Sequence, residues 1–270
     1  MTAHDDASER IERAALLSLH DHCPAASKEA LGLFLIPTGD GVVAGAARDG
    51  SILLNRTLGL ATQQAWDPTS VPKVVEAYAR HGVTRYFVHL YDAALGEDGL
   101  RTLPEAGLER CRGWMKFHRP PAPSPADLGR TDLRVERVGP DRGDDFGRVV
   151  CEAFGMTDAA IGLLGGLTRD PRWHCFVSYD GDEPAGAGGL MVDGGIAFLE
   201  WGATRPKFRR RGSQGAIMNH RISAAVDAGC SALYTETGEQ VEGDPQHSYR
   251  NILRYGFVEG QLRGNWAPPR

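Results

Sequence analysis

The sequence predicts an α/β protein in which two copies of one fold, each a mixed central β-sheet flanked by helices, follow one another. Three observations support this. Short apolar runs alternate with helical patterns along all 270 residues. The order of these elements in the first half recurs in the second, as in an internal repeat. A Pro-rich stretch at 120–125 suits an extended linker. We therefore predict a first domain at 1–119, a linker at 120–130 and a second domain at 131–270.

The first half begins with an amphipathic helix whose apolar residues have helical spacing. Short strands with Gly-Asp and Asp-Gly turns follow, and then a helix, a strongly apolar strand, a second helix and a last strand. The predicted helices are 7–20, 68–82 and 100–107, and the predicted strands are 31–36, 41–47, 51–60, 83–91 and 113–118.

The second half has the same elements with stronger turn signals. Asp180-Gly181-Asp182 and Asp193-Gly194-Gly195 are hairpin turns that join three consecutive strands. Gly82 matches Gly229, and Gly107-Leu108 matches Gly256-Phe257, at nearly equal separations in the chain, which supports the repeat. The predicted strands are 132–138, 173–179, 184–192, 196–204, 232–237 and 258–266, and the predicted helices are 144–154, 158–167, 216–228 and 248–255.

A basic, glycine-containing segment connects the strand at 196–204 to the helix that follows it. Its sequence from Lys207 to Ala216 is KFRRRGSQGA. A strand, a tight turn and a helix start leave backbone N–H groups unpaired at the positive end of the helix dipole. The segment therefore predicts an anion site with arginines at its edge. It lacks the P-loop and dinucleotide-binding spacings of glycine.

The segment resembles the pyrophosphate loop of the GNAT superfamily of acyl-CoA-dependent N-acyltransferases, whose pattern is Arg/Gln-x-x-Gly-x-Gly/Ala. Arg209, Gly212 and the pair Gly215-Ala216 fit this pattern, whereas Gln214 stands where a second small residue is usual. The element order over 132–266 is also similar to the GNAT order, and Gly256-Phe257 is the usual GNAT ending. The resemblance covers about half of the chain.

The resemblance implies that acetyl-CoA is the acyl donor. In GNAT proteins two strands splay apart and expose backbone N–H groups to the acyl carbonyl and pantetheine. By the same resemblance, Asn251 would form hydrogen bonds with the pantetheine amides, unless it has a capping or core role. The first copy has Thr62 to Pro68 (TQQAWDP) in place of the loop, so we expect it to be degenerate and to wall the substrate cleft. The implied N–H donors are Ala203, Thr204 and Arg205, and the implied pyrophosphate site is Arg209, Arg210, Arg211, Gly212, Ser213, Gln214, Gly215 and Ala216.

Acyl transfer to an amine needs a group that takes the ammonium proton. Glu200 interrupts an otherwise apolar strand, where burial would raise its pKa, and several GNAT proteins place a glutamate on this strand. Glu236 is the second candidate and Glu239 the third; alternatively, these acids bind a cationic substrate or face water. Many GNAT proteins have a tyrosine acid where this chain has Ile252, so Tyr249 or Tyr255 would act as the acid unless it has a packing or cofactor-contact role.

Composition limits the other functions. A net charge of -5 argues against a nucleic-acid binder, and none of the five cysteines is in a C-x-x-C pair, so neither a metal site nor a disulfide framework is indicated. No cysteine lies on the strand at 196–204 or in the loop, which disfavours a cysteine relay. The absence of a leader or long apolar run predicts a cytoplasmic protein without membrane partners.

We therefore predict an N-acetyltransferase that moves an acetyl or short acyl group from CoA to a primary amine by direct attack in a ternary complex. The enzyme would be a monomer or homodimer. Two hypotheses compete with this one. The first is a non-catalytic acyl-CoA-binding module, and the second is an RNA or DNA binder that uses the basic loop, for which the sequence lacks the extended basic face required. The sequence does not identify the acceptor. The acidic residues Glu200, Glu236, Glu239, Glu242 and Asp244 would suit a cationic amine if they cluster at the cleft.

Overall fold

A computed structural model describes residues 3–39, 41–60, 67 and 69–269. These residues form one sheet of eleven strands with helices on both faces. The helices are α1 (Ala3–Asp21), α2 (Ala25–Leu31), α3 (Ser70–Arg80), α4 (Asp92–Glu105), α5 (Gly143–Phe154), α6 (Ala159–Gly165), α7 (Ser213–Asp227) and α8 (His247–Arg254). The strands are β1 (Leu33–Thr38), β2 (Gly41–Ala46), β3 (Arg56–Leu58), β4 (Phe87–Leu90), β5 (Glu109–Arg119), β6 (Arg134–Val138), β7 (Trp173–Asp180), β8 (Glu183–Asp193), β9 (Ile196–Thr204), β10 (Leu233–Gly238) and β11 (Val258–Ala267).

The strand order joins the two halves into a single sheet. It runs β1-β2-β3-β4-β11-β5-β10-β9-β8-β7-β6, with β3·β4 and β9·β10 parallel and the other pairs antiparallel. The predicted mixed α/β class is confirmed, but the expectation of a separate sheet in each half is wrong. The last strand of each half lies beside the penultimate strand of the other, β5 beside β10 and β11 beside β4, and β5 and β11 also pair with each other.

The two halves are related by this exchange. Read from one edge, the order is β1-β2-β3-β4-β11-β5; from the other edge, after β6, it is β7-β8-β9-β10-β5-β11. Each series has the same sequence of antiparallel and parallel pairs. This arrangement fits the repeat seen in the sequence. The boundaries at 119 and 131 stay a prediction, since the sheet itself is continuous across them.

Apolar side chains form a core on each face of the sheet. Phe198 packs with α1, α5 and α6, whereas its neighbours Ala197 and Leu199 pack with α7 and α8 on the opposite face, as expected from the alternation of side chains along a strand. The first cluster contains residues of both halves, including Leu16 of the first and Phe146 of the second. The halves therefore share this cluster.

Three local differences from the predicted elements have physical causes. The strand predicted at 51–60 is shortened to Arg56–Leu58 because the N–H groups of Leu54 and Asn55 both donate to Ser51 O in a turn. The unpredicted helix α2 ends at Gly32, which has the left-handed conformation common after helices. Helix α7 begins three residues earlier than predicted, directly after Gly212.

One predicted segment lies mostly outside the described residues, and the prediction of no membrane span can be compared only with the described helices. Positions 61–66 and 68 lie outside them, and these include most of the first-copy segment Thr62 to Pro68. Within the described ranges, every helix is too short or too polar to cross a bilayer.

Candidate active site

Strand β9 separates from its neighbour β10 halfway along its length. The two strands pair only from Ala197 to Leu199, and β9 continues to Thr204 without β10. At this point the ladder between β8 and β9 shifts register, and Trp201 has a φ of 58°. A bulge of this kind bends a strand and redirects its backbone groups. The sheet is therefore open on one side of β9 from Glu200 onward.

The opening exposes a backbone donor of β9. Arg205 N–H donates to Ala185 O across the β8–β9 ladder, and antiparallel residues alternate between facing a partner strand and facing away from it. By this alternation the Ala203 N–H faces β8, while that of Thr204 faces the side that β10 has left. The Thr204 N–H is thus available in the opening, the Ala203 N–H is not, and Gly202 lies in the bulge beside them.

A groove of about 910 Å³ lies along this opening and reaches the start of α7. Gly212 precedes the helix with a φ of 79°, and a Cβ atom there would stand 2.0 Å from Arg130 O. No side chain caps the helix, so its first N–H groups remain available to an anion. Of the predicted pyrophosphate-binding residues, the groove is lined by Arg209, Arg210, Gly212, Ser213, Gln214 and Gly215.

The groove is basic. Arg130 and Arg254 join Arg209 and Arg210 in its walls, against the single carboxylate of Asp127. A pyrophosphate group needs this combination of a helix N-terminus and free guanidinium groups. At the inner end, Asn251 Nδ2 is buried without a hydrogen-bond partner, as expected of a donor meant for a ligand amide. The residues present therefore fit coenzyme A.

A second, inner cavity of about 600 Å³ continues from the groove. Both halves of the chain line it. The first half supplies Ile52, Arg56 and Trp114, and Asp49 links the halves at the rim by accepting hydrogen bonds from Thr157 N and Oγ1, both at 2.8 Å. The residues common to the groove and the inner cavity are Phe154, Gly202, Gln214, Ser248 and Asn251.

Glu200 lies in the inner cavity beside a cation from the first half. Its Oε1 accepts a hydrogen bond of 2.7 Å from Arg56 Nη2. Burial raises the pKa of Glu200 to about 7, while Arg56 counteracts part of this rise. A carboxylate with such a pKa can accept and release a proton at neutral pH.

Residues 145–250 match the model of the acetyltransferase (GNAT) family. This segment contains β9, α7 with the loop before it, and the first half of α8. By this match the segment, which is less than half of the chain, is a GNAT acetyltransferase domain. The match supports acyl transfer with a CoA thioester as the donor.

Solved GNAT structures share the fold over nearly the whole chain. A GCN5-related N-acetyltransferase from Kribbella flavida has 13% identity and a TM-score of 0.62, covering 97% of this chain and 96% of that one. One from Sphaerobacter thermophilus has 16% identity and a TM-score of 0.60, covering 90% and 89%. A putative GNAT acetyltransferase from Novosphingobium aromaticivorans has 11% identity and a TM-score of 0.53, covering 92% and 96%. A comparison with curated proteins found no match.

Three predicted CoA-binding residues of the GNAT domain do not face the groove. The Arg205 guanidinium pairs with Glu152 and Glu183, and its N–H is used by β8. Ala216 donates its N–H to Gly212 O as part of the helix. The Arg211 guanidinium forms ion pairs with Asp132 and Asp180, two residues that are distant from it in sequence. These residues hold the loop instead of lining the groove.

Glu236 belongs to a buried ionic network and lines the inner cavity. Its Oε2 is 2.6 Å from Lys116 Nζ and 3.0 Å from Arg263 Nη2. Both cations also bind Glu12 of α1, which is fully buried. Burial and the nearby Glu12 carboxylate raise the pKa of Glu236, against these cations. Arg56 Nη1 lies 3.8 Å from the other carboxylate oxygen, Oε1. With three cations at its carboxylate, Glu236 is less available as a base than Glu200, which among the described residues has an ion pair with Arg56 alone.

The predicted acid Tyr249 lies outside both cavities. Its hydroxyl donates to Glu259 Oε1 at 2.6 Å, and its ring packs edge-on against Phe117. Tyr255 does line the groove, where its hydroxyl donates to Gly215 O at 2.9 Å. Tyr249 therefore has the packing role that the sequence left open, and Tyr255 supports the cofactor loop.

The acidic residues that would suit a cationic amine do not all cluster at the cleft. Glu239, Glu242 and Asp244 do not line the inner cavity, and Asp244 pairs with Arg112 from β5. Within the described ranges, no group of three His, Cys, Asp or Glu residues is arranged to hold a metal.

Sequence reasoning missed two arginines of this site. Arg56 lies in β3 and Arg221 in the core-facing side of α7, next to Met218 and Ile222. Each is a charged residue within an apolar pattern, which is the signal that identified Glu200. The partner of Arg56 is more than a hundred residues away in sequence, so the pairing itself had no local signal.

Proposed function

We propose that the chain transfers an acetyl or other short acyl group from acetyl-CoA to a primary amine of a small molecule, by direct attack within a ternary complex. One observation carries this proposal: a basic groove with a free helix N-terminus opens directly into a second cavity that contains Glu200. The groove suits the CoA phosphates, and the inner cavity suits an acceptor of modest size.

The donor would extend from the start of α7 toward Gly202. The N–H groups before Ala216 and the Arg209 and Arg210 side chains would bind pyrophosphate, and Asn251 would bond pantetheine. The N–H group of Thr204 would then meet the acyl carbonyl oxygen, on which negative charge develops during attack.

Glu200 would prepare the acceptor. An alkylammonium ion must lose a proton before its nitrogen can attack the thioester carbon, and Glu200 would take that proton directly or through water. The C–N bond forms, the C–S bond breaks, and CoA leaves as a thiolate, which is a tolerable leaving group without a dedicated acid. The attacking nitrogen loses its second proton in this step, to that thiolate or to water. The proton on Glu200 then returns to solvent or to the thiolate.

A panel of amines tests this proposal through the release of free CoA thiol, with the wild-type enzyme and Glu200→Gln. We expect at least one amine to release CoA with wild type, and the variant to be slower by roughly 10²- to 10⁴-fold with unchanged acetyl-CoA binding. Acetyl-CoA binding without turnover of any amine would favour the non-catalytic acyl-CoA-binding module instead.

A further inference from the structure

Arg221 is a buried cation beneath the bulge of β9. It is 3% exposed and lies on the face of α7 that packs on the sheet. Two glycines make room for its guanidinium group. A Cβ atom on Gly188 of β8 would stand 3.1 Å from Arg221 Cζ, and one on Gly202 of β9 would stand 3.6 Å from Nη2. The charge is therefore close to the backbone at Gly202.

Within the part of the chain that the structure describes, this guanidinium has no counter-ion. Nη1 donates long hydrogen bonds to Gly189 O at 3.4 Å and Glu200 O at 3.3 Å, and Nε has no hydrogen-bond partner there. Nη2 donates to Met218 Sδ at 3.7 Å. Among the described residues, no carboxylate oxygen comes within 4.0 Å of the Arg221 guanidinium. Burial lowers the pKa of Arg221 to about 10, so the group remains charged at neutral pH.

The other deeply buried cations of the site differ from Arg221. Arg56, Lys116 and Arg263 each lie within 4.0 Å of two or more carboxylates. An unpaired charge in a protein interior is costly, and unpaired cations at such positions are typical of sites where negative charge appears during a reaction. The position of Arg221 indicates where that charge would be.

We propose that Arg221 is a positioning residue that polarises the acyl carbonyl of the bound thioester, through its positive charge beside Gly202. This inference rests on the proposed function. Gly202 lines both the groove and the inner cavity, so the thioester carbon must pass it to meet the acceptor. The Arg221 guanidinium approaches the same strand segment and also lines the inner cavity, and its field stabilises an oxyanion that forms there.

The hydrogen bonds of Arg221 also fit a purely structural role, because they hold the carbonyl groups on either side of the bulge. The two roles differ in the electronic state of the bound donor. A cation beside Gly202 lowers the stretching frequency of the thioester carbonyl, whereas a structural clamp does not.

The test is isotope-edited infrared spectroscopy of acetyl-CoA labelled with ¹³C at the carbonyl, bound to the full-length protein. We expect the frequency to fall on binding to wild type. Arg221→Met should lose at least about half of this shift, and Arg221→Lys should recover most of it. The control is Arg119→Met, because Arg119 is 4% exposed, bonds only to backbone carbonyls and lines neither cavity.

Equal carbonyl frequencies in wild type and Arg221→Met, both with acetyl-CoA bound, would overturn the inference. If the methionine variant does not fold, Arg221→Gln serves in its place, since it keeps a polar group at the bulge and removes the charge. Binding to wild type without a frequency shift refutes the inference alone. No binding to wild type refutes the proposed function with it.

With an active amine identified, the same variants give a kinetic readout. Arg221→Met should lower kcat by roughly ten- to a hundredfold and leave the KM for acetyl-CoA within a few-fold, since the charge acts mainly on the transition state. A rise in KM at unchanged kcat would contradict the role.

Discussion

The protonation of Glu200 is set by two opposing effects in the inner cavity. Removal from water favours the neutral acid, and the nearby Glu12 and Glu236 carboxylates act in the same direction. Arg56 opposes both through a hydrogen bond of 2.7 Å. The balance leaves the pKa of Glu200 at about 7, which suits a group that must hold a proton only briefly.

This balance predicts the pH dependence of turnover. A base must be deprotonated to act, so kcat/KM for the acceptor should rise with pH and level off above about 7, once the ionisation of the amine itself is corrected for. The check is a pH profile of CoA release, made with amines of different pKa to separate the ionisation of the acceptor from that of the enzyme. A limb near the ordinary glutamate pKa, common to all amines, would contradict the assignment.

The role of Arg56 gives a second prediction at this scale. Since Arg56 lowers the pKa of Glu200, Arg56→Gln should move the rising limb of the pH profile to higher pH. The variant should also be less stable by about 3–5 kcal/mol, because it breaks a buried ion pair. Arg80→Gln is the control, since its pair with Glu76 is exposed and contributes little. If the pH at which kcat/KM rises is the same in Arg56→Gln as in wild type, Arg56 does not set the protonation of the catalytic base.

The loop that precedes α7 depends on a backbone conformation that only one residue type tolerates well. Gly212 combines a positive φ with a close approach to Arg130 O. The conformation directs the following N–H groups into the groove, and Arg211 fixes the loop from behind through Asp132 and Asp180. The anion site therefore depends on the conformation of the whole loop before α7 and not on any single side chain.

Two alanine variants isolate the effect of the close approach. Gly229 has a φ of 69°, similar to Gly212, but a Cβ atom there meets nothing within 4 Å. Gly229→Ala should therefore lose only the conformational cost, about 1–2 kcal/mol. Gly212→Ala should lose clearly more, because its Cβ must displace a backbone carbonyl. Chemical denaturation measures both, and equal losses would show that the loop at Gly212 is free to move aside.

At the scale of the whole molecule, the halves are joined by exchanged strands and by a shared ionic network. Strand β5 of the first half fills the position between β10 and β11. Lys116 on β5 pairs with Glu236 on β10, and Glu12 on α1 binds Arg263 on β11. Neither half can keep these contacts alone.

We therefore predict that a fragment of residues 131–270 does not fold by itself, although it contains the GNAT domain. It would leave the edges of β10 and β11 unpaired and Glu236 without Lys116. Circular dichroism and size-exclusion chromatography should show aggregation or the absence of a cooperative transition, and co-expression with residues 1–130 should restore a folded complex. A monomeric fragment that melts cooperatively would refute this.

Local signals allowed much of this structure to be predicted from the sequence. The hairpin turns after Asp180 and Asp193, and the glycine turn before α7, specify their elements within a few residues. The exchange of β5 and β11 had no such signal, because pairing between distant strands depends on the whole sheet. For the same reason Arg205 and Arg211 were predicted to face CoA: their acidic partners are far away in sequence.

Thermal unfolding with and without acetyl-CoA tests whether the groove at the start of α7 binds coenzyme A. At a concentration about 100 times Kd, binding adds roughly 2.7 kcal/mol, which corresponds to an increase in Tm on the order of 5–10 °C for a chain of this size. We expect this increase in wild type and in Glu200→Gln, and its loss in Gly212→Ala. An increase that persists in Gly212→Ala would place CoA elsewhere, and no increase in wild type would contradict the account of the groove.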